Sequence, residues 1–151
     1  MDIIENNRKY LTDFIGLNEE WISSNFTLEE ADHALAENPG KVIDDGGYIF
    51  SLLLDNQVVG VCALFNEGNG IFELARMAVS PAHQGKGYAS LLIEACLNKI
   101  KMLRASKVYL VSNTKLEAAI NLYKKYQFKT ILEGKHPIYT RANIVMALDE
   151  F

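Results

Sequence analysis

The feature that most restricts this chain is a six-residue stretch, Gln84-Gly85-Lys86-Gly87-Tyr88-Ala89, set between a β-like run and an amphipathic run. Upstream, Ile71 to Val79 reads as a strand. Downstream, Leu91, Leu92, Ala95, Cys96, Ile100 and Leu103 fall on one stripe and predict a helix from about Tyr88 to Arg104. A strand that enters a helix through small residues leaves the first helical N–H groups without partners. With no side chain at 85 or 87, an anion can approach those donors and the positive end of the helix dipole. Lys86 adds positive charge beside them. The loop is neither a Walker A motif nor a Gly-x-Gly-x-x-Gly dinucleotide fingerprint. Taken alone, it suits an ordinary glycine-rich turn as well as a phosphate site.

The rest of the chain can be ordered around this loop. Thr27-Leu28-Glu29-Glu30 has the capping-box pattern and predicts a helix ending at Asn38-Pro39-Gly40, with a shorter helix around Glu19 to Ser23 before it. Tyr48 to Leu54 and Val58 to Phe65, joined by Asp55-Asn56-Gln57, predict an antiparallel hairpin. Asn66 to Gly70 is a second turn leading into the Ile71–Val79 strand. After the glycine loop and its helix come a short buried strand, Lys107 to Val111, and a second capping box, Thr114-Lys115-Leu116-Glu117. That box opens a helix carrying Ala119, Ile120 and Tyr123. Two strands, Phe128 to Leu132 and Ile144 to Leu148, complete an α/β domain with a mixed sheet, in the order ααβββαβαββ.

Composition excludes several classes of function. At 151 residues, with 49% hydrophobic and 23% charged residues, the chain has enough apolar material for one folded domain, read here as residues 1–151. A net charge of −4 with scattered Lys and Arg gives no footprint for nucleic acid. No apolar run is long enough to span a bilayer, and the N-terminus is too polar for a signal peptide. Cys62 and Cys96 lie far apart among apolar neighbours, as core residues rather than a disulfide or zinc set. His33, His83 and His136 show no metal spacing, and His83 is expected on the loop surface. The reading is a reduced, cytoplasmic protein with no metal.

Gln84-x-x-Gly87-x-Ala89 matches the Gln/Arg-x-x-Gly-x-Gly/Ala signature of the GNAT superfamily of acyl-CoA-dependent N-acyltransferases. Glu73-Leu74-Ala75-Arg76-Met77-Ala78-Val79-Ser80-Pro81 resembles that family's preceding strand and turn. Ala119-Ile120-Asn121-Leu122-Tyr123-Lys124-Lys125-Tyr126-Gln127-Phe128 is similar to its second motif, usually Ala-Ile-x-Leu-Tyr-x-x-x-Gly-Phe. The resemblance covers roughly Tyr48 to Leu148. Gln127 departs from it where the family has glycine, and Leu116 where many members carry an asparagine.

The resemblance implies an α+β arrangement, a mixed but mostly antiparallel central sheet flanked by helices. It implies acetyl-CoA as co-substrate, its pyrophosphate on the amides of Gln84, Gly85, Lys86, Gly87, Tyr88 and Ala89. The pantetheine arm would pair with the strand through Met77, Ala78 and Val79, entering where that strand splays from the one ending near Val111. Met77 N–H would face the developing oxyanion. Tyr123 would act as acid toward the leaving thiolate, Glu73 as base toward the attacking amine, and Asn113 would lie beside the cofactor. Glu73 is also a charge in an otherwise apolar strand, which is costly unless solvated or used.

By the same resemblance, Trp21, Phe26, Tyr139 and Arg141 are candidates for the acceptor pocket, and Arg76 or Arg141 for holding an acceptor carboxylate. The acidic Leu17–Asp32 segment would suit a cationic acceptor, although solvation accounts for its charges equally. The expected partner is a small-molecule or peptide amine, and a homodimer is possible. Two other readings compete with the enzyme: a catalytically silent acyl-CoA-binding regulatory domain, and a module using the loop for another phosphate.

Overall fold

The computed structural model describes all residues, 1–151. The elements are β1 (Asp2–Glu5), α1 (Leu11–Asn25), α2 (Glu30–Glu37), α3 (Lys41–Asp44), β2 (Tyr48–Leu54), β3 (Gln57–Gly68), β4 (Ile71–Val79), α4 (Tyr88–Met102), β5 (Lys107–Ser112), α5 (Glu117–Lys125), β6 (Lys129–Glu133) and β7 (Ile144–Leu148). Seven strands form one sheet in the order β1-β2-β3-β4-β5-β7-β6. Every neighbouring pair is antiparallel except β4 with β5. This is the mixed, mostly antiparallel sheet flanked by helices that the sequence implies. No helix is long and apolar enough to cross a membrane.

The hairpins follow from their turn residues. Leu54 pairs with Gln57 across Asp55-Asn56, and Gly68 with Ile71 across Asn69-Gly70. All four turn residues have positive φ, the geometry whose twist matches paired strands. β3 is buried on both faces from Val59 to Leu64, which explains its unbroken apolar run. One face packs against α4 and α5 through Leu52, Leu64, Leu74, Leu92, Ile93, Cys96, Ile100 and Ile120. The other carries Phe14 of α1 and Val42 of α3 against Ile49, Val61, Ala63 and Ala78.

Several boundaries differ from the sequence reading. α1 runs from Leu11 to Asn25, longer than Glu19–Ser23, because Phe14, Asn18 and Ile22 repeat every fourth residue and bury one side. α2 starts three residues after Thr27. Glu29 is its N-cap, and Asp32 completes the box. α5 starts at Glu117, not after Thr114. Asn113 Oδ1 accepts from Lys115 N–H at 2.9 Å and makes a turn first, while Thr114 is bonded to Asn143. Ile93 replaces Leu103 in the α4 core stripe, since Leu103 lies past the helix end and is exposed. β1 and the one-turn α3 have no counterpart in the expected order; β1 has no buried residue and α3 only one.

Candidate active site

The site begins where two strands part. β4 and β5 pair only through Ile71–Lys107, Phe72–Val108 and Glu73–Tyr109, after which neither strand finds the other. On its opposite edge β4 carries a bulge. Val61 pairs with Ala78 and Ala63 with Ala75, so Arg76 and Met77 together face Cys62. Arg76 takes φ 59, the left-handed region. A two-against-one bulge bends the strand that carries it. Beyond the last rung of the parallel ladder lies a cavity of about 750 Å³, with Met77, Ala78 and Val79 on one wall and Val111, Ser112 and Asn113 on the other.

At one end of this opening stands the glycine loop. Gly85 has φ 76 and Gly87 φ 82, and a Cβ at either would meet nothing within 4 Å. Gly87 is the N-cap of α4 and supplies no side-chain cap. The backbone N–H groups from Gln84 through Ser90 therefore donate to no group of the chain, and the first α4 bond is Leu91 N–H to Gly87 O. Gln84 instead turns its amide back to Val79 O at 3.3 Å, tying the loop to the end of β4. Gln84, Gly85, Gly87, Tyr88 and Ala89 line the cavity, whereas the Lys86 side chain points to solvent. His83 is not the surface residue expected. It is half-buried on the cavity wall, packs near the Tyr88 ring, and its Nδ1 is buried without a partner.

Tyr123 and Glu73 both line the cleft. Tyr123 is buried, its ring edge-on to Phe128, and its hydroxyl bonds to no group of the chain although it is not sealed off. Burial, with the Cys62 thiol close by, pushes its pKa well above the usual phenol value. Glu73 sits at the last rung of the ladder, opposite Tyr109. Burial chiefly, and then the charge of Glu67, raise its pKa to about 7, against a weaker opposing pull from Arg76 and Tyr109. The Tyr109 hydroxyl donates to Glu67 beside it. Glu73 is thus neither a solvated surface charge nor the ion-pair partner of Arg76.

The remaining side is closed by a buried ionic cluster. Asp32, 3% exposed, accepts from Arg76 Nη1, from Arg141 Nη1 at 2.6 Å and Nη2 at 2.8 Å, and from Glu29 N–H at 2.8 Å. Burial alone would raise the Asp32 pKa, but these bonds together hold it near 2. Glu29 adds contacts to Arg141 Nη1 and to Thr140 N–H. Arg76 Nη2 donates to the Tyr139 hydroxyl at 2.7 Å, and both guanidiniums lie against the Tyr139 ring. Arg76 and Tyr139 also line a second cavity of about 270 Å³, so this pair partitions the two spaces.

Trp21, Phe26, Tyr139 and Arg141 all line the main cleft, as does Leu116. Asn113 lines it too, but its side chain is engaged with Arg141 O and Lys115 N–H. Both arginines, expected as candidates for holding an acceptor carboxylate, are engaged within the chain: Arg76 with Asp32 and Tyr139, Arg141 with Asp32 and Glu29. The acidic N-terminal segment sends only Asn18, Trp21, Ile22 and Phe26 to the cleft; Glu29 and Asp32 are committed to the arginines. The sequence reading missed Asp32 and Glu29 as parts of the site. Their one local signal was the Glu29–Asp32 spacing, hidden beneath the neighbouring Thr27–Glu30 box.

The chain is similar to known proteins in sequence family and in fold. The family model for the acetyltransferase (GNAT) family matches residues 14–128. No curated protein matches the chain in sequence. Among solved structures, a GNAT-family acetyltransferase from Staphylococcus aureus Mu50 is similar with a TM-score of 0.85 and 21% identity, over 97% of this chain and 96% of that one. YncA of Salmonella typhimurium, solved with its cofactor acetyl-CoA, gives 0.76 and 16%, over 99% and 93%. A variant of the spermidine N-acetyltransferase of Vibrio cholerae gives 0.73 and 23%, over 97% and 92%.

Proposed function

Since the chain belongs to the GNAT acetyltransferase family, we propose that it moves the acetyl group of acetyl-CoA directly to a primary amine, as one domain acting in the cytoplasm. The observation that carries this reading is the run of unpartnered N–H groups from Gln84 to Ser90 at the end of the β4–β5 opening. Those donors, with the α4 dipole, suit the CoA pyrophosphate. Lys86 adds charge from the solvent side. The unpaired stretch of β4 through Met77, Ala78 and Val79 would hold the pantetheine arm, with Asn113 on the facing wall.

In the transfer, the amine nitrogen bonds to the acetyl carbonyl carbon, the C–S bond breaks, and the amine gives up a proton. The amine must attack neutral, and a lysine-type amine, with a pKa of about 10.4, enters largely as its ammonium and must shed a proton in the cleft. Glu73, with a pKa of about 7, is balanced between its two forms at neutral pH, the setting that serves a general base. Met77 N–H would stabilise the charge on the carbonyl oxygen. Tyr123 keeps its proton at neutral pH because burial raises its pKa. It therefore serves the departing sulfur as a hydrogen-bond donor, with full transfer uphill to a thiolate whose conjugate acid has a pKa of about 8.5.

The test is thiol release from acetyl-CoA over a panel of polyamines, peptides, amino acids and aminoglycosides. Release with at least one amine, reduced about 100-fold in kcat by Tyr123→Phe with acetyl-CoA binding kept, is the expected result. Tight binding with no release across the panel would instead identify a silent acyl-CoA-binding domain.

A further inference from the structure

We infer that the acceptor is an amine with no carboxylate beside it, and that Asp32 sets this choice by occupying both arginines of the acceptor wall. The inference rests on the transferase reading above and narrows its substrate class. Guanidinium forks are the usual receivers of substrate carboxylates. Arg76 and Arg141 both reach the cleft, yet both Nη atoms of each already donate within the chain. Their two positive charges are matched by Asp32 and Glu29, leaving the cluster neutral.

Asp32 accepts four hydrogen bonds, which saturates a carboxylate and leaves it no reason to release either arginine. Lys115, another cation on the wall, donates to Asn25 O at 3.0 Å and lies over the Phe26 ring. An incoming carboxylate would meet guanidiniums whose charge Asp32 and Glu29 already match, and would share a half-buried space with Glu73. An ammonium there meets the reverse, a carboxylate ahead and the aromatic walls of Trp21, Phe26 and Tyr139 around it.

Matched acceptors test this through thiol release. Phenethylamine, phenylalaninamide and phenylalanine carry hydrogen, an amide or a carboxylate beside their single amine, and their rates are compared per neutral amine because the three amines differ in basicity. The expected kcat/KM for each carboxylate-free amine exceeds that of its amino acid by about 100-fold, through KM more than kcat. Phenylalaninamide should follow phenethylamine, because charge and not bulk is excluded. Asp32→Asn should free the arginines and narrow the ratio about tenfold by lowering KM for phenylalanine. Should that variant fail to fold, the wild-type ratios decide alone. Amino acids used as well as their amines, or phenylalaninamide as poor as phenylalanine, would overturn the inference while leaving the transferase reading intact. Binding of acetyl-CoA with no turnover of any amine would overturn both.

Discussion

Glu73 and Tyr109 stand opposite each other at the last rung before β4 and β5 part, so the residue proposed as the base also marks the end of the ladder. Its raised pKa has two opposite consequences. As a base, Glu73 works only when ionised, so kcat/KM should climb with pH through about 7 and level off above it. Glu73→Gln should remove that inflection and lower the rate about 100-fold. For stability the sign reverses. A folded pKa raised from 4.5 to about 7 means that the folded state holds the proton more tightly than the unfolded chain. The resulting stabilisation is full below pH 4.5 and is lost as pH rises through 7. Urea titrations at pH 8 should therefore find Glu73→Gln more stable than wild type. Glu73 could be singled out from sequence because a lone charge in an apolar strand is conspicuous. Asp32 could not, because an acidic residue in the first turn of a helix is ordinary until its partners are known.

At the scale of elements, legibility followed local chemistry. The bounds of β4 and β7 and the Asp55-Asn56 turn came from residues that act on their own backbone, but β3 runs on to Gly68, so the second turn is Asn69-Gly70 and not Asn66 to Gly70. Helix starts were less legible: Thr27 and Thr114 both fit a capping box, but Glu29 and Asn113 captured the nearby N–H groups first. The α4 start has no side-chain cap, and its first N–H groups are left without partners. Gly87→Ala would place a side chain at φ 82, costing about 1 kcal/mol, or a few degrees in Tm. Because its Cβ would project into open space beside the unpartnered N–H groups, the acetyl-CoA Kd should rise about tenfold, more than the stability change explains. Gln127 offers the converse. It occupies the left-handed region, φ 73, after α5, where the family has glycine. Gln127→Gly should raise stability by about 1 kcal/mol, seen as a Tm increase of a few degrees without change in kcat.

For the whole molecule, the Asp32 cluster joins α2 to β4 and to the segment between β6 and β7, across 109 positions of sequence between Asp32 and Arg141. No periodicity or motif records a bond over such a distance, which is why the sheet was readable and this closure was not. With the Asp32 pKa lowered from 3.8 to about 2, its contribution is complete above 3.8 and is lost as pH falls through 2. Asp32→Asn should cost about 3 kcal/mol in urea unfolding at neutral pH, because it leaves buried guanidiniums short of a partner. That difference should shrink toward pH 2, where the wild-type carboxyl also becomes neutral.

The splayed strands and the Gln84–Ser90 amides together make the proposed acetyl-CoA site. Calorimetric titration of the purified protein with acetyl-CoA tests it most directly. One molecule bound per chain, displaced by CoA but by neither ATP nor NAD, is the expected result. No heat with acetyl-CoA, or equal displacement by ATP, would contradict it.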